Sequence, residues 1–181
     1  MLNLFKRGRI GKLQTRNRIV MGPMGITGLL EPDGRYSQRG IDFYVARAAG
    51  GAGLIISGVA RVDSEIEKHL VLRPRLDSPV FLTRLEELVN AVHAYGAKIA
   101  IQLSAGSGLL TSPGEQRLGW AVAPSPLPCF QPPHAKAREL NVGEIETLVK
   151  DFAISAAIVK SAGVDAIDLH GHGGYLIDDF T

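Results

Sequence analysis

Gly163-Val-Asp-Ala-Ile-Asp-Leu-His-Gly-His-Gly-Gly-Tyr-Leu-Ile-Asp-Asp-Phe-Thr181 carries the strongest architectural signal in the chain. Its apolar run, Ala166 to Leu169, reads as a strand, and a strand buried on both faces is almost unbroken in hydrophobic side chains. The run leads straight into two histidines, three glycines and a tyrosine. Polar groups at the C-terminal end of such a strand stand where a (β/α) barrel keeps its chemistry. His170, His172 and Tyr175 place hydrogen-bond donors and proton carriers in one short loop. The glycines let backbone approach a flat ligand closely. A Gly-rich turn with incidental histidines would read the same way on these residues alone.

Upstream, the same unit recurs. Asn17 to Met24 reads as strand one, stopped by Gly22 and Pro23, since proline cannot donate to a central ladder. Ser37 is an N-cap, Ile41, Tyr44, Val45 and Ala48 mark one helical face, and Gly50-Gly51 ends the helix. Gly53 to Gly58 is strand two. Ser78-Pro79 supplies the cap and first position of helix two, whose stripe is Leu82, Leu85, Leu88, Val89 and Val92. Lys98 to Ser104 is strand three. Asn141-x-x-Glu144 is a capping-box start to helix three. Ile145, Leu148, Val149, Phe152, Ala156 and Val159 form its expected inner face, and Gly163 ends it. The order β-α-β-α-β-α-β predicts four parallel strands with three crossover helices. A complete barrel of this kind takes about 250 residues. Residues 1–181 therefore read as half of an α/β (β/α)8 TIM barrel, its outer strands unpaired, to be completed by further chain or a partner subunit; an open flavodoxin-like sheet is the alternative.

Two segments do not fit the repeating unit. The loop from Val59 to Asp77 is long for an αβ protein, and long loops in compact domains are often functional. Ala105 to Leu140 holds the only Trp and the only Cys and is too rich in Gly and Pro for a helix; it reads as an ordered loop beside a site. Lys6 to Arg18, basic and Gly-punctuated, is expected to form a small hairpin at the bottom of the barrel. It lacks serine and runs into a strand, unlike a transit peptide.

The totals bound the function. Hydrophobic residues make up 45% and charged residues 21%, as in soluble globular proteins. A net charge of +2 argues against an extended nucleic-acid surface. No apolar stretch approaches the roughly 20 residues that span a bilayer. The single Cys129 excludes an internal disulfide and suits a reducing, cytoplasmic setting.

All four strands end in unusual residues: Pro23-Met24-Gly25, Ser57-Gly58, Gln102 and His170. In a parallel barrel these face one mouth, and small residues there leave room for a flat cofactor. Gln102 donates and accepts at once, which suits the edge of a pyrimidine-like ring. There is no phosphate-binding Walker loop and no Gly-x-Gly-x-x-Gly opening a helix. A metal held by His170, His172 and Asp178 or Asp179 is chemically conceivable, though spacing fixes no third ligand.

The ordered set Asn17-Arg-Ile-Val-Met-Gly-Pro-Met24, Gly51-Ala-Gly-Leu-Ile-Ile-Ser-Gly58, Ile101-Gln-Leu103 and Asp168-Leu-His-Gly-His-Gly-Gly-Tyr-Leu-Ile-Asp-Asp-Phe180 resembles the Old Yellow Enzyme family of NADH:flavin oxidoreductases, including 2,4-dienoyl-CoA and 2-enoate reductases. The resemblance implies an FMN on the barrel mouth, contacting Pro23, Met24, Gly25, Gly58, Gln102 and His170. It implies NAD(P)H as reductant and hydride transfer through the flavin to an activated C=C bond of a small-molecule substrate. His170 and His172 would grip the activating oxygen and Tyr175 would donate the proton. Three departures stand out. Gly25 replaces a flavin-touching Thr or Cys. Gly173 holds the place of the family's second histidine, with His172 one residue early. The pattern after strand three is altered to Gln102-Leu-Ser-Ala-Gly-Ser-Gly108. The chain is thus expected to be an ene-reductase-type half-barrel in an oligomer, inactive without its other half. A non-catalytic half-barrel subunit and a flavin-dependent amine demethylase of the same family remain open.

Overall fold

The computed structural model describes residues 3–66 and 68–181. A hairpin, β1 (Gly8–Ile10) and β2 (Leu13–Thr15), opens it where the basic lead-in predicts one. Then follow β3 (Val20–Met21), helix α1 (Gln38–Ala49), β4 (Leu54–Ile56), the short β5 (Ala60–Arg61), α2 (Leu82–His93) and β6 (Lys98–Ser104). A short helix α3 (Pro113–Arg117) and the paired strands β7 (Val122–Ala123) and β8 (Arg138–Glu139) lead to α4 (Val142–Ser161) and β9 (Ala166–Leu169).

The sheet is parallel and runs β3-β4-β6-β9, with β5 continuing the β4 side of β6. Helices α1, α2 and α4 are the crossovers. This is the strand-helix alternation of half a (β/α)8 barrel. β6 is its centre, with Ile99, Ile101 and Leu103 fully buried under Leu85, Leu88, Val89 and Val92 of α2 and Tyr44 of α1. Each such side chain contributes roughly 1.5–3 kcal/mol of burial. Arg16 closes the bottom by donating to the carbonyl oxygens of Ala48 (2.6 Å) and Ala52 (3.0 Å), just where α1 ends. Asp165 pins β9 to the start of β6, accepting from Lys98 Nζ and His93 Nε2, both at 2.7 Å, and from the Ile99 amide at 2.9 Å.

Several expectations need correction. Strand one is confined to Val20–Met21, because residues 22–24 pair with no strand among the described residues and Pro23 lacks a donor. Asn17 is a turn residue, its side chain bonded to the Gly51 carbonyl and the Ile19 amide. Ser78 caps a 3-10 turn, Pro79–Phe81, and α2 begins only at Leu82. The segment from Ala105 to Leu140 does contain a helix, α3, started by a Ser112/Glu115 capping box. It carries its own small core of Leu109, Ala121, Ala123, Cys129 and Ala137. β9 is not buried on both faces: Ile167 and Leu169 are exposed, as is Val20 on β3, since both strands lie at sheet edges. Val149 does not belong to the inner face of α4 and is 65% exposed; Ser155 and Ile158 are buried instead.

Candidate active site

The site is shaped by an irregularity in the ladder. Ile56 pairs with Ala100 but Ala60 pairs with Leu103, so the β4–β5 side carries one extra residue, a bulge across Ser57, Gly58 and Val59. Ser57 repairs the ladder: its amide donates to the Ala100 carbonyl (2.9 Å), and its Oγ accepts from the Gln102 amide (3.2 Å) and donates to the Gly58 carbonyl (2.9 Å). The Gly58 amide, turned out of the ladder, donates to Tyr44 Oη at 3.0 Å. That phenol is pushed up to about 12 by burial, so it stays protonated. A Cβ on Gly58 would overlap the Met24 carbonyl oxygen. Glycine is thus required there by the crossing of the β3 loop, rather than by room for a ligand.

Beyond the bulge lies a cavity of about 340 Å³. Every residue assigned to catalysis or flavin contact from the sequence lines it: Pro23, Met24, Gly25, Gly58, Gln102, His170, His172 and Tyr175; Ser57, Asp178 and Asp179 do not. Pro23, Met24 and Gly25 are exposed, whereas Gln102 and His170 are buried at 4% and 7% exposure. Gln102 Nε2 donates to Asp168 Oδ2 at 2.7 Å, across the β6–β9 register that sets these two residues opposite each other. The amide oxygen of Gln102 has no partner among the described residues and is left for a ligand.

The His170 amide bonds to the Leu103 carbonyl (3.0 Å), and its ring packs against Tyr175 (centroids 4.0 Å apart) and His172 (4.8 Å). Its Nδ1 is buried without a hydrogen-bond partner among the described residues. Burial, then the His172 and Arg73 charges, hold His170 below its ordinary value, so the ring is neutral at pH 7. The loop around it is anchored from below. Gly173 and Gly174 adopt φ of +77° and +80°. Asp178 accepts from the Gly174 amide and Asp179 from the Leu109 amide, both at 2.8 Å. These carboxylates are therefore engaged with backbone. Among the described residues no group of three His, Cys, Asp or Glu is placed to hold a metal.

Reading by motif missed the roles of Asp168 and Tyr44 and took Ser57 only as a strand-end residue; all three act on site residues through pairings visible only in three dimensions. It also missed Thr27 and Arg73, which line the cavity from loops. Only the unusual length of the loop from Val59 to Asp77 pointed towards Arg73.

The sequence matches the NADH:flavin oxidoreductase / NADH oxidase family over residues 3–181. The chain belongs to this family. It is 45% identical over 184 residues to the cinnamate reductase of Clostridium sporogenes and 47% identical over 182 residues to the NADH oxidase of Thermoanaerobacter brockii, covering 98% of this chain and 27% of each relative. An NADPH dehydrogenase of Listeria monocytogenes is 36% identical, with 99% of this chain and 51% of the relative covered. Among solved structures, the Old Yellow Enzyme homologue of Zymomonas mobilis superposes with a TM-score of 0.81 at 28% identity, over 98% of this chain and 51% of that one. Morphinone reductase superposes with a TM-score of 0.76 at 28% identity, over 96% and 50%. The chain spans between about a quarter and a half of the relatives it matches. It has the fold of half an Old Yellow Enzyme TIM barrel.

The family uses FMN with NADH or NADPH as reductant. The residues present fit that group. A Cβ on Gly25 would meet nothing within 4 Å, so the backbone of the β3 loop faces open space at the cavity. Gln102 offers a free carbonyl oxygen beside its anchored amide nitrogen, as the edge of a flavin's pyrimidine ring requires. No helix among the described residues is long and apolar enough to cross a membrane.

Proposed function

We propose that residues 1–181 form the N-terminal half of an FMN-binding barrel that reduces an activated C=C bond with NAD(P)H. One observation carries this reading: the ends of four parallel strands contribute Pro23-Met24-Gly25, Gly58, Gln102 and the His170–Tyr175 loop to a single cavity. When bound, FMN supplies two-electron transfer between NAD(P)H and the alkene. Pro23, Met24 and Gly25 support the ring and Gln102, held by Asp168, meets its polar edge. Neutral His170 donates a hydrogen bond to the substrate's activating oxygen and stabilises the enolate charge that develops there. His172, packed on His170, takes the part of the second histidine that Gly173 vacates. The Tyr175 phenol delivers the proton to the α-carbon as hydride reaches the β-carbon, which balances the addition of H2 across the bond.

The remaining barrel comes from further chain or another subunit, the assembly is oligomeric, and the setting is cytoplasmic, consistent with a lone, buried, unpaired Cys129. The test is anaerobic stopped-flow on the flavin-loaded protein. NAD(P)H should bleach the flavin and a 2-enoate or enone should restore its colour. Flavin that is reduced but never reoxidised by any activated alkene would remove this activity and leave the non-catalytic or demethylase readings.

A further inference from the structure

The reaction just described makes no use of Arg73. This residue lies in the long loop after β5 and lines the same cavity as Gln102, His170 and Tyr175. Its Nη2 donates to Ser107 Oγ at 3.1 Å, which fixes the plane of the guanidinium. Its Nη1 is sealed from solvent and has no hydrogen-bond partner among the described residues. The half-buried Arg73 guanidinium cannot shed its charge by deprotonation, so leaving its sealed Nη1 unpaired is costly. His170 Nδ1, on the same cavity, is the second sealed polar atom without a partner. The charge of Arg73 also acts on His170, after burial and His172, to hold it neutral, and a neutral imidazole presents one N–H donor.

Two residues, each with one unpartnered nitrogen and one of them a permanent cation, line one small cavity. A neutral carbonyl would satisfy the histidine and leave the arginine's charge uncompensated. A carboxylate satisfies both, because the planar guanidinium matches its two oxygens. We propose that Arg73 and His170 form a carboxylate subsite, so that the preferred alkene substrate is a free 2-enoate rather than its neutral enone, ester or amide counterpart. Arg73 is then a specificity-determining residue, and the subsite deepens the reading of the cavity given above and rests on it.

The test compares isosteric acid and amide pairs in the flavin-loaded protein. Binding is read with benzoate and benzamide from the perturbation of the flavin absorbance, which needs no turnover. Reduction is read as kcat/KM for but-2-enoate against but-2-enamide. The parent should favour the acid in both. Arg73→Met should lower the acid-over-amide ratio roughly 10- to 100-fold, the size of one charge-assisted pair, with Arg73→Lys recovering part of it as a point charge. An unchanged ratio in Arg73→Met, or a parent that prefers the amide, overturns the subsite. If Arg73→Met does not fold, Arg73→Lys carries the test, since a ratio unaltered by loss of the fork overturns it equally. A parent that binds benzoate through Arg73 yet reduces neither alkene leaves the subsite standing and sinks the ene-reductase reading instead.

Discussion

Gln102 and Asp168 face each other in register on β6 and β9, with Nε2 and Oδ2 2.7 Å apart. The carboxylate fixes which end of the amide is anchored and so which end meets a ligand. Asp168 is a positioning residue for Gln102. Asp168→Ala should weaken FMN binding about tenfold, the worth of one hydrogen bond to a charged group, and should shift the bound flavin spectrum. Titration of apoprotein with FMN checks this. An unaltered affinity and spectrum would show that Gln102 is held by something else.

Tyr175 packs against His170, and among the described residues its hydroxyl has no hydrogen-bond partner. Tyr175→Phe keeps the ring and removes the phenol. We expect the oxidative half-reaction with an alkene to slow about 100-fold or more, as for loss of a general acid, and flavin reduction by NAD(P)H to change less than threefold. Equal losses in both half-reactions would take Tyr175 out of the proton-donor role.

Gly58 has the Met24 carbonyl where a side chain would be. Gly58→Ala should force the β3 loop away from the bulge, costing about 1–3 kcal/mol of stability and loosening the cavity wall formed by Pro23, Met24 and Gly25. Urea denaturation measures the first and FMN affinity the second. Gly25→Ala, with open space at its Cβ, should leave stability nearly unchanged. A similar loss in both variants would contradict the packing argument.

Glu115 links the loop from Val59 to Asp77 to α3. It accepts from the Leu70 amide (2.8 Å), the Ser112 hydroxyl (2.8 Å) and the Ser112 amide (3.2 Å), while His69 Nδ1 stands 3.6 Å away, beyond a hydrogen bond. Burial opposes ionisation, yet His69 and these donors hold its carboxyl down to about 2. A carboxyl depressed in the folded state stabilises above its ordinary value of 4.5, and that stability is lost as pH falls from about 4.5 towards 2. Glu115→Gln should therefore cost roughly 2–3 kcal/mol at pH 7 and much less at pH 3. Unfolding free energies at the two pH values check the sign; a cost that grows on acidification would reverse it.

The amino-acid sequence was enough for the alternation of strands and helices, the seven residues of β6, the caps at Ser37 and Asn141, and the list of residues at the strand ends. Those signals are local: periodicity, a capping side chain three residues from its amide, a glycine after a helix. It also carried the family resemblance, because motif order survives without coordinates. How the site is built emerged from the folded chain. Gly58 is there for the Met24 carbonyl, Ser57 bridges a bulge to Gln102, Asp168 holds Gln102 from a strand 66 positions away, and Arg73 reaches the cavity from a loop. Edge exposure at Val20, Ile167 and Leu169 was equally hidden, since an apolar run reads alike whether or not a neighbour covers it. Each of these depends on groups brought together across the sheet, and the spacing of residues along a chain does not encode which strands become neighbours.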